Sequence, residues 1–213
     1  MVICIFNPYL GKKYSHFEIV DSVTKYKDSV TINECKDVFN EAAMAIAKGK
    51  IIGWFQGRAE CGPRSLGNRS ILADPRNPYM KDYVNSKVKF REAFRPFAPS
   101  VLWEYQKEYF DLDIPSPYML MVSDIIEEKR GLIPSVTHVD GTGRLQTVMK
   151  ELNPRFYKLI KAFMEYTGIP IVLNTSFNIK GEPIVETAED AIRCFLETGI
   201  DELYLENLQV KKN

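Results

Sequence analysis

The chain has 213 residues, with 28 basic and 28 acidic side chains and so no net charge. That length buries a proper core in one domain, or in one domain with a sizeable excursion. Electroneutrality argues against general nucleic-acid binding, which needs a wide basic face, and no apolar run approaches the length of a membrane span.

In chain order, MVICIF is too short for a signal-peptide core, lacks a basic leader, and reads as a short edge strand. Residues 7–30 mix Pro, Gly, Lys and Ser with few apolar anchors and read as a surface connector. A helix is expected next, from the capping-box spacing of Thr31 and Glu34. Its apolar stripe is Val38, Ala42, Ala45 and Ile46, and Gly49 supplies a stop. KIIGWFQ reads as a buried strand and ILAD as a short one. Pro78 opens a helix running to about Val88, and FAPSVLW and YMLMVSDII are strand-like.

The second half repeats the alternation. RLQTVM is a strand, Asn153-Pro154 starts a helix that Gly168 ends, and IPIVLNTSF is a nearly continuous apolar strand covered on both faces. Thr187 caps a helix ended by Gly199, and ELYLEN and LQV close the chain as strands. The pattern predicts an α/β fold with a mixed parallel and antiparallel sheet and packed helices. The expected organisation is an N-terminal strand and connector over 1–30 and one α/β domain over 31–213.

The chemistry concentrates between Gly57 and Pro99. From Arg58 to Arg95 there are nine cations (Arg58, Arg64, Arg69, Arg76, Lys81, Lys87, Lys89, Arg91, Arg95) and four acids (Glu60, Asp74, Asp82, Glu92). The window therefore carries +5 in a neutral chain. Gly lets backbone approach a ligand, and Arg offers planar forks of donors suited to phosphate or carboxylate. Either these cations pair with surface acids, or they gather around a compact polyanion. VKFREAFRPFAP alternates cations with aromatics and reads as a strand with one wet face, able to aim Lys87, Lys89 and Arg91 at one cavity.

Three further clusters carry two readings each. Asn174, Thr175, Ser176 and Asn178 end a buried strand, as a turn or as a ligand site at the strand's carboxyl end. His138, Asp140 and Arg144 belong to a plain hairpin or to a site. Cys61 beside the arginine loop is a possible thiol nucleophile, but no base lies near it in sequence. Cys4, Cys35, Cys61 and Cys194 show no paired spacing and read as free thiols of a reducing, cytoplasmic compartment. Neither standard phosphate-binding glycine loop is present, so a bound nucleotide would rest on side-chain cations and turn amides. His16 and His138, the two histidines, are too few for a histidine-rich metal site.

Taken together, GRAECGPRSLGNRSILADPR, KVKFREAFRPFAP, HVDGTGRLQTV and NTSFNIKGEPIVET resemble the NodU-type carbamoyltransferases, which include antibiotic O-carbamoyltransferases. The resemblance runs from about Asn7 onward and is to the C-terminal half of that family. It implies a YrdC-like fold that binds carbamoyl phosphate and ATP, with its magnesium, and forms carbamoyl-adenylate. Transfer to a hydroxyl acceptor then falls to an actin-like-fold domain that carries a histidine-based iron site, absent from this chain. The resemblance places anion-site cations on Arg64, Lys89, Arg95 and Arg144, with Arg91 beside them, and polar ligands on Ser176 and Asn178, with Asn174 and Thr175 adjacent. Lys89, Arg95 and Ser176 are the expected catalytic groups. Ser65 stands where the family usually has Ala. Two other readings stay open at this point, a threonylcarbamoyl-adenylate synthase and a non-catalytic nucleotide- or RNA-binding module.

Overall fold

An eight-stranded sheet organises the computed structural model, which describes residues 6–213. In chain order the elements are α1 (His16–Thr24), β1 (Val30–Glu34), α2 (Val38–Ala47), β2 (Ile52–Phe55), β3 (Arg69–Ala73), α3 (Met80–Val84) and β4 (Ala98–Leu102). They continue with α4 (Gln106–Tyr109), β5 (Val122–Asp124), α5 (Glu127–Arg130), β6 (Thr142–Arg144), β7 (Gln146–Val148), α6 (Pro154–Thr167), β8 (Ile171–Ser176), α7 (Ala188–Glu197), β9 (Glu202–Leu205) and β10 (Leu208–Lys212). The sheet order is β1-β10-β9-β2-β3-β8-β4-β7. The β9–β2 and β4–β7 pairs are parallel, and the other neighbours are antiparallel. β5 and β6 form a separate antiparallel ribbon. The mixed α/β sheet is the one the alternation predicts.

Both faces of the sheet are covered. Successive residues of a strand point to opposite faces. Trp54 of β2 meets Phe39 of α2, ring centroids 6.4 Å apart, while Phe55 meets Tyr14, just before α1, at 5.8 Å. α2 packs on α6 and α1 on α7. Every residue of the central strands β2, β3, β4 and β9 is buried, and so is every residue of β7 at the sheet's edge.

Several local expectations change. Thr31 and Glu34 do not cap a helix: they belong to β1, which pairs with β10. The cap is Asp37, whose side chain accepts from the amides of Phe39 and Asn40. The expected stripe on α2 is buried and Gly49, at φ +83°, ends it. The connector contains α1, closed by a reciprocal Ser15–Glu18 capping box, with Ile19 and Val23 buried in the main core. YMLMVSDII yields only the three residues of β5. VKFREAFRPFAP is not an alternating strand: Asn85–Lys89 is a π-helical turn, and Phe90 follows in the left-handed region at φ 45°. The strand expected in MVICIF lies outside the described residues, apart from Phe6.

Candidate functional site

The loop between β2 and β3 is wound around a buried carboxylate. One oxygen of Glu60 accepts the backbone amides of Leu66 (2.6 Å), Asn68 (3.2 Å) and Arg69 (3.2 Å). Burial pushes the Glu60 carboxyl above its usual range, against those hydrogen bonds. Gly67 completes the turn at φ +104°, where an added Cβ would lie 2.2 Å from the Phe156 ring.

The cations of the window divide by environment. Arg69 is fully buried, donates to the carbonyls of Gln56 (2.8 Å) and Asn68 (2.9 Å), and stacks 3.6 Å over the Phe55 ring. Arg58 ties the loop to the Gly11 carbonyl at 2.9 Å, and Arg76 pairs with Asp74 at 2.6 Å. Lys87 lies over the Tyr83 ring. Arg58, Arg69 and Arg76 are thus committed to the fold, and Lys87 lies on its surface.

A different set converges. Arg64 from the loop, Arg91 after the π turn and Arg144 of β6 line one cavity of about 130 Å³ with Asn174, Thr175 and Ser176 of β8. No acid lines it. Arg91 is oriented by Asn85 Oδ1 at 2.7 Å and stacks on Phe97 at 4.7 Å. Among the described residues, neither Arg64 nor Arg144 has an ion-pair partner, and the buried Nε of each lacks an acceptor. Burial, then the charge of Arg64, pulls Arg144 below its ordinary value; burial and then Arg95 do the same to Arg91. Three cations crowded together without a counter-ion are an arrangement that a bound anion would neutralise.

Ser176 also borders a second, larger compartment of about 430 Å³, which it shares with Asn178, Glu60, Arg69 and the 182–186 segment. Pro63 and Ser176 line both spaces, so the two adjoin. The 182–186 wall, with Glu182 and Glu186, carries no pattern that reasoning from residue types had singled out as a site.

Lys89 and Arg95 line neither space. Lys89 is buried behind β8, where its ammonium donates to Ser176 Oγ (3.2 Å), Asn178 Oδ1 (2.7 Å) and the carbonyls of Ser176 and Asn178. Burial draws it down to about 7, with the charge of Arg91 adding to the effect. It clamps the turn that presents Ser176. Arg95 is half exposed and pairs with Glu92 at 3.0 Å, near enough for its charge to be felt at Arg91. His138 sits in the hairpin, bonded to Thr142 Oγ1 at 3.1 Å. Cys61 is an exposed free thiol with no hydrogen-bonded base. Among the described residues no group of three or more His, Cys, Asp or Glu side chains could hold a metal ion, and no helix is long and apolar enough to cross a membrane.

The family model described as "Carbamoyltransferase C-terminus" matches residues 43–212. This chain belongs to that carbamoyltransferase family. Nodulation protein NolNO of Sinorhizobium fredii is 51% identical over 86% of the chain and 27% of its own length. The 3'-hydroxymethylcephem-O-carbamoyltransferase of Amycolatopsis lactamdurans is 38% identical over 77% of the chain and 31% of its own. The chain thus spans about a third or less of these two relatives. Full-length HypF in a phosphate- and nucleotide-bound form matches with a TM-score of 0.51 at 16% identity, covering 87% of the chain and 22% of HypF. A variant of P. abyssi Sua5 matches at 0.50 and 16%, covering 78% and 52%. At these identities the likeness is one of fold, and the fold is YrdC-like.

Proposed function

We propose that this chain is the part of an O-carbamoyltransferase that binds carbamoyl phosphate and ATP and makes carbamoyl-adenylate. The observation that carries the reading is the three-arginine cavity without a carboxylate, opening beside a larger compartment across Ser176. The smaller space suits carbamoyl phosphate, its phosphate on Arg64, Arg91 and Arg144. The larger suits ATP, whose magnesium comes with the nucleotide. Water takes the phosphoryl group of carbamoyl phosphate, leaving phosphate and carbamate. A carbamate oxygen then attacks the α-phosphorus of ATP, forming the new P–O bond as pyrophosphate leaves.

The chain's work is positional and electrostatic. Arg64, Arg91 and Arg144 offset charge on the phosphate oxygens. Ser176 lies at the boundary where the α-phosphate and carbamate meet, held by Lys89 and Asn178. Arg95 supplies charge at the rim. Handing carbamate directly from one space to the other limits its loss to bulk water. The relatives are about three times longer, and the acceptor site and its iron belong to an actin-like-fold partner domain.

The test is pyrophosphate release. The purified chain, given carbamoyl phosphate and magnesium ATP, should release pyrophosphate slowly and carbamoylate no added hydroxyl compound until the partner domain is supplied. Pyrophosphate release that ignores carbamoyl phosphate but requires threonine and bicarbonate would overturn this assignment in favour of threonylcarbamoyl-adenylate synthesis. Absence of pyrophosphate release under either condition, with ligands bound, would leave a binding module.

A further inference from the structure

The arginine cavity contains one group that an anion does not explain. Asn174 is 1% exposed, and its wall position is shared with Thr175 and Ser176. The orientation of its amide is fixed by a chain of hydrogen bonds that begins at two backbone carbonyls, which can only accept. The Leu66 carbonyl takes Nε2 of Gln146 at 2.8 Å, so Oε1 of Gln146 faces the other way. That oxygen accepts from Ser100 Oγ at 2.7 Å and from Nδ2 of Asn174 at 3.0 Å. The Ser65 carbonyl, at 3.3 Å, also takes Nδ2 of Asn174. A flipped Asn174 would set two oxygens against Ser65 and Gln146. Its Oδ1 is therefore committed to the opposite side, and there it is buried with no donor. An orphaned buried acceptor is costly, and native structures hold few of them.

Cations that need an anion line this small space, and so does Asn174, the residue whose Oδ1 needs an N–H. We propose that Asn174 Oδ1 reads the N–H of the ligand's carboxamide, making Asn174 the residue that selects a carbamoyl over an acyl phosphate. This deepens the carbamoyl phosphate reading and rests on it. Rejection of a close analogue is strong when a site built to hydrogen-bond a group is left with an unpaired buried partner. A methyl group in place of the amino group would have that effect here. It has nearly the same size and leaves the phosphate unchanged, but offers no donor.

Calorimetry on the 213-residue chain tests this with three probes that do not turn over: phosphonoacetamide, its methyl-ketone counterpart acetonylphosphonate, and inorganic phosphate. Phosphonoacetamide should bind about tenfold or more tightly than acetonylphosphonate. In Asn174→Ala the two should bind alike. A merely structural role for Asn174 would instead weaken both phosphonates together and leave their ratio unchanged, which would overturn the proposal. Equal affinity in the unaltered chain would overturn it as well, while leaving the anion site standing. If none of the three probes bound, the carbamoyl phosphate reading would fall with it. Should Asn174→Ala not fold, a crystal structure of the unaltered chain with phosphonoacetamide decides. The ligand nitrogen is expected within hydrogen-bond distance of Oδ1, and a nitrogen turned away from it would overturn the assignment.

Discussion

Arg64 and Arg144 differ from the other arginines in what they lack. Arg69 and Arg76 have carbonyl or carboxylate partners and an aromatic ring beneath them, so truncating either opens the fold. Among the described residues, Arg64 and Arg144 have no such partner. We expect Arg64→Ala or Arg144→Ala to weaken phosphate binding by about 1.5–3 kcal/mol, the range for a charged hydrogen bond. Neither should lower the melting temperature, since each removal relieves repulsion. Arg95→Ala should cost much less, because its charge is half exposed and already paired with Glu92. Titration calorimetry of the three variants ranks them, and an Arg95 effect as large as that of Arg64 would return Arg95 to the contact shell. Lys89 makes a pH prediction. Its folded-state value of about 7 lies below the ordinary 10.5, so between those limits the unfolded chain binds the extra proton. Stability contributed by this group therefore rises with pH from about 7 upward, by at most about 1.4 kcal/mol per pH unit. Urea titrations at several pH values should show that rise in the unaltered chain and its loss in Lys89→Met.

At the scale of elements, loops and turns built on single residues are where stability is most exposed. Gly67→Ala combines a left-handed backbone with a Cβ inside the Phe156 ring, and should cost about 3 kcal/mol. Ser15→Ala opens the capping box of α1 and should cost about 1 kcal/mol. Denaturant melts measure both, and a near-neutral Gly67→Ala would mean that the loop can rewind. The elements that were legible in advance share a trait: their signal is local. The Asn153 cap, the Gly168 stop, the Thr187 cap and the apolar run of β8 each stand in the sequence where the structure has them. α1 leaves little trace in the sequence because only Ile19 and Val23 of it are buried, and β1 imitates a helix start because Thr31 and Glu34 match a cap by spacing alone. The π turn over 85–89 has no residue signature; it closes because Asn85 bridges the carbonyls of Ala93 and Arg95. The same limit governed the site. Its residue types and their gathering were readable, since cations outnumbered acids. Which cation faces the cavity was not, because Lys89 and Arg91 are two residues apart and the turn sends them to different places.

At the scale of the molecule, the cavity is assembled from parts far apart in the chain: a loop after β2, a turn before β4, the β5–β6 ribbon and the end of β8. Arg76 and Arg95 are paired with acids, and Arg58, Arg69 and Lys89 are satisfied by oxygens of the fold. The cavity has no internal counter-ion, so the chain folds with a vacancy in its own electrostatics. An inorganic anion in solution is then a structural component as much as a ligand. Phosphate at a hundred times its dissociation constant should add about 2.7 kcal/mol to unfolding stability, through preferential binding to the folded chain. A thermal shift that is large with phosphate and small with chloride at equal ionic strength is the expected outcome, and Arg64→Ala should cut the difference by about half or more. The supply of small phosphorylated metabolites would then govern how long the polypeptide survives, tying its lifetime to the abundance of the anion proposed to fill the cavity.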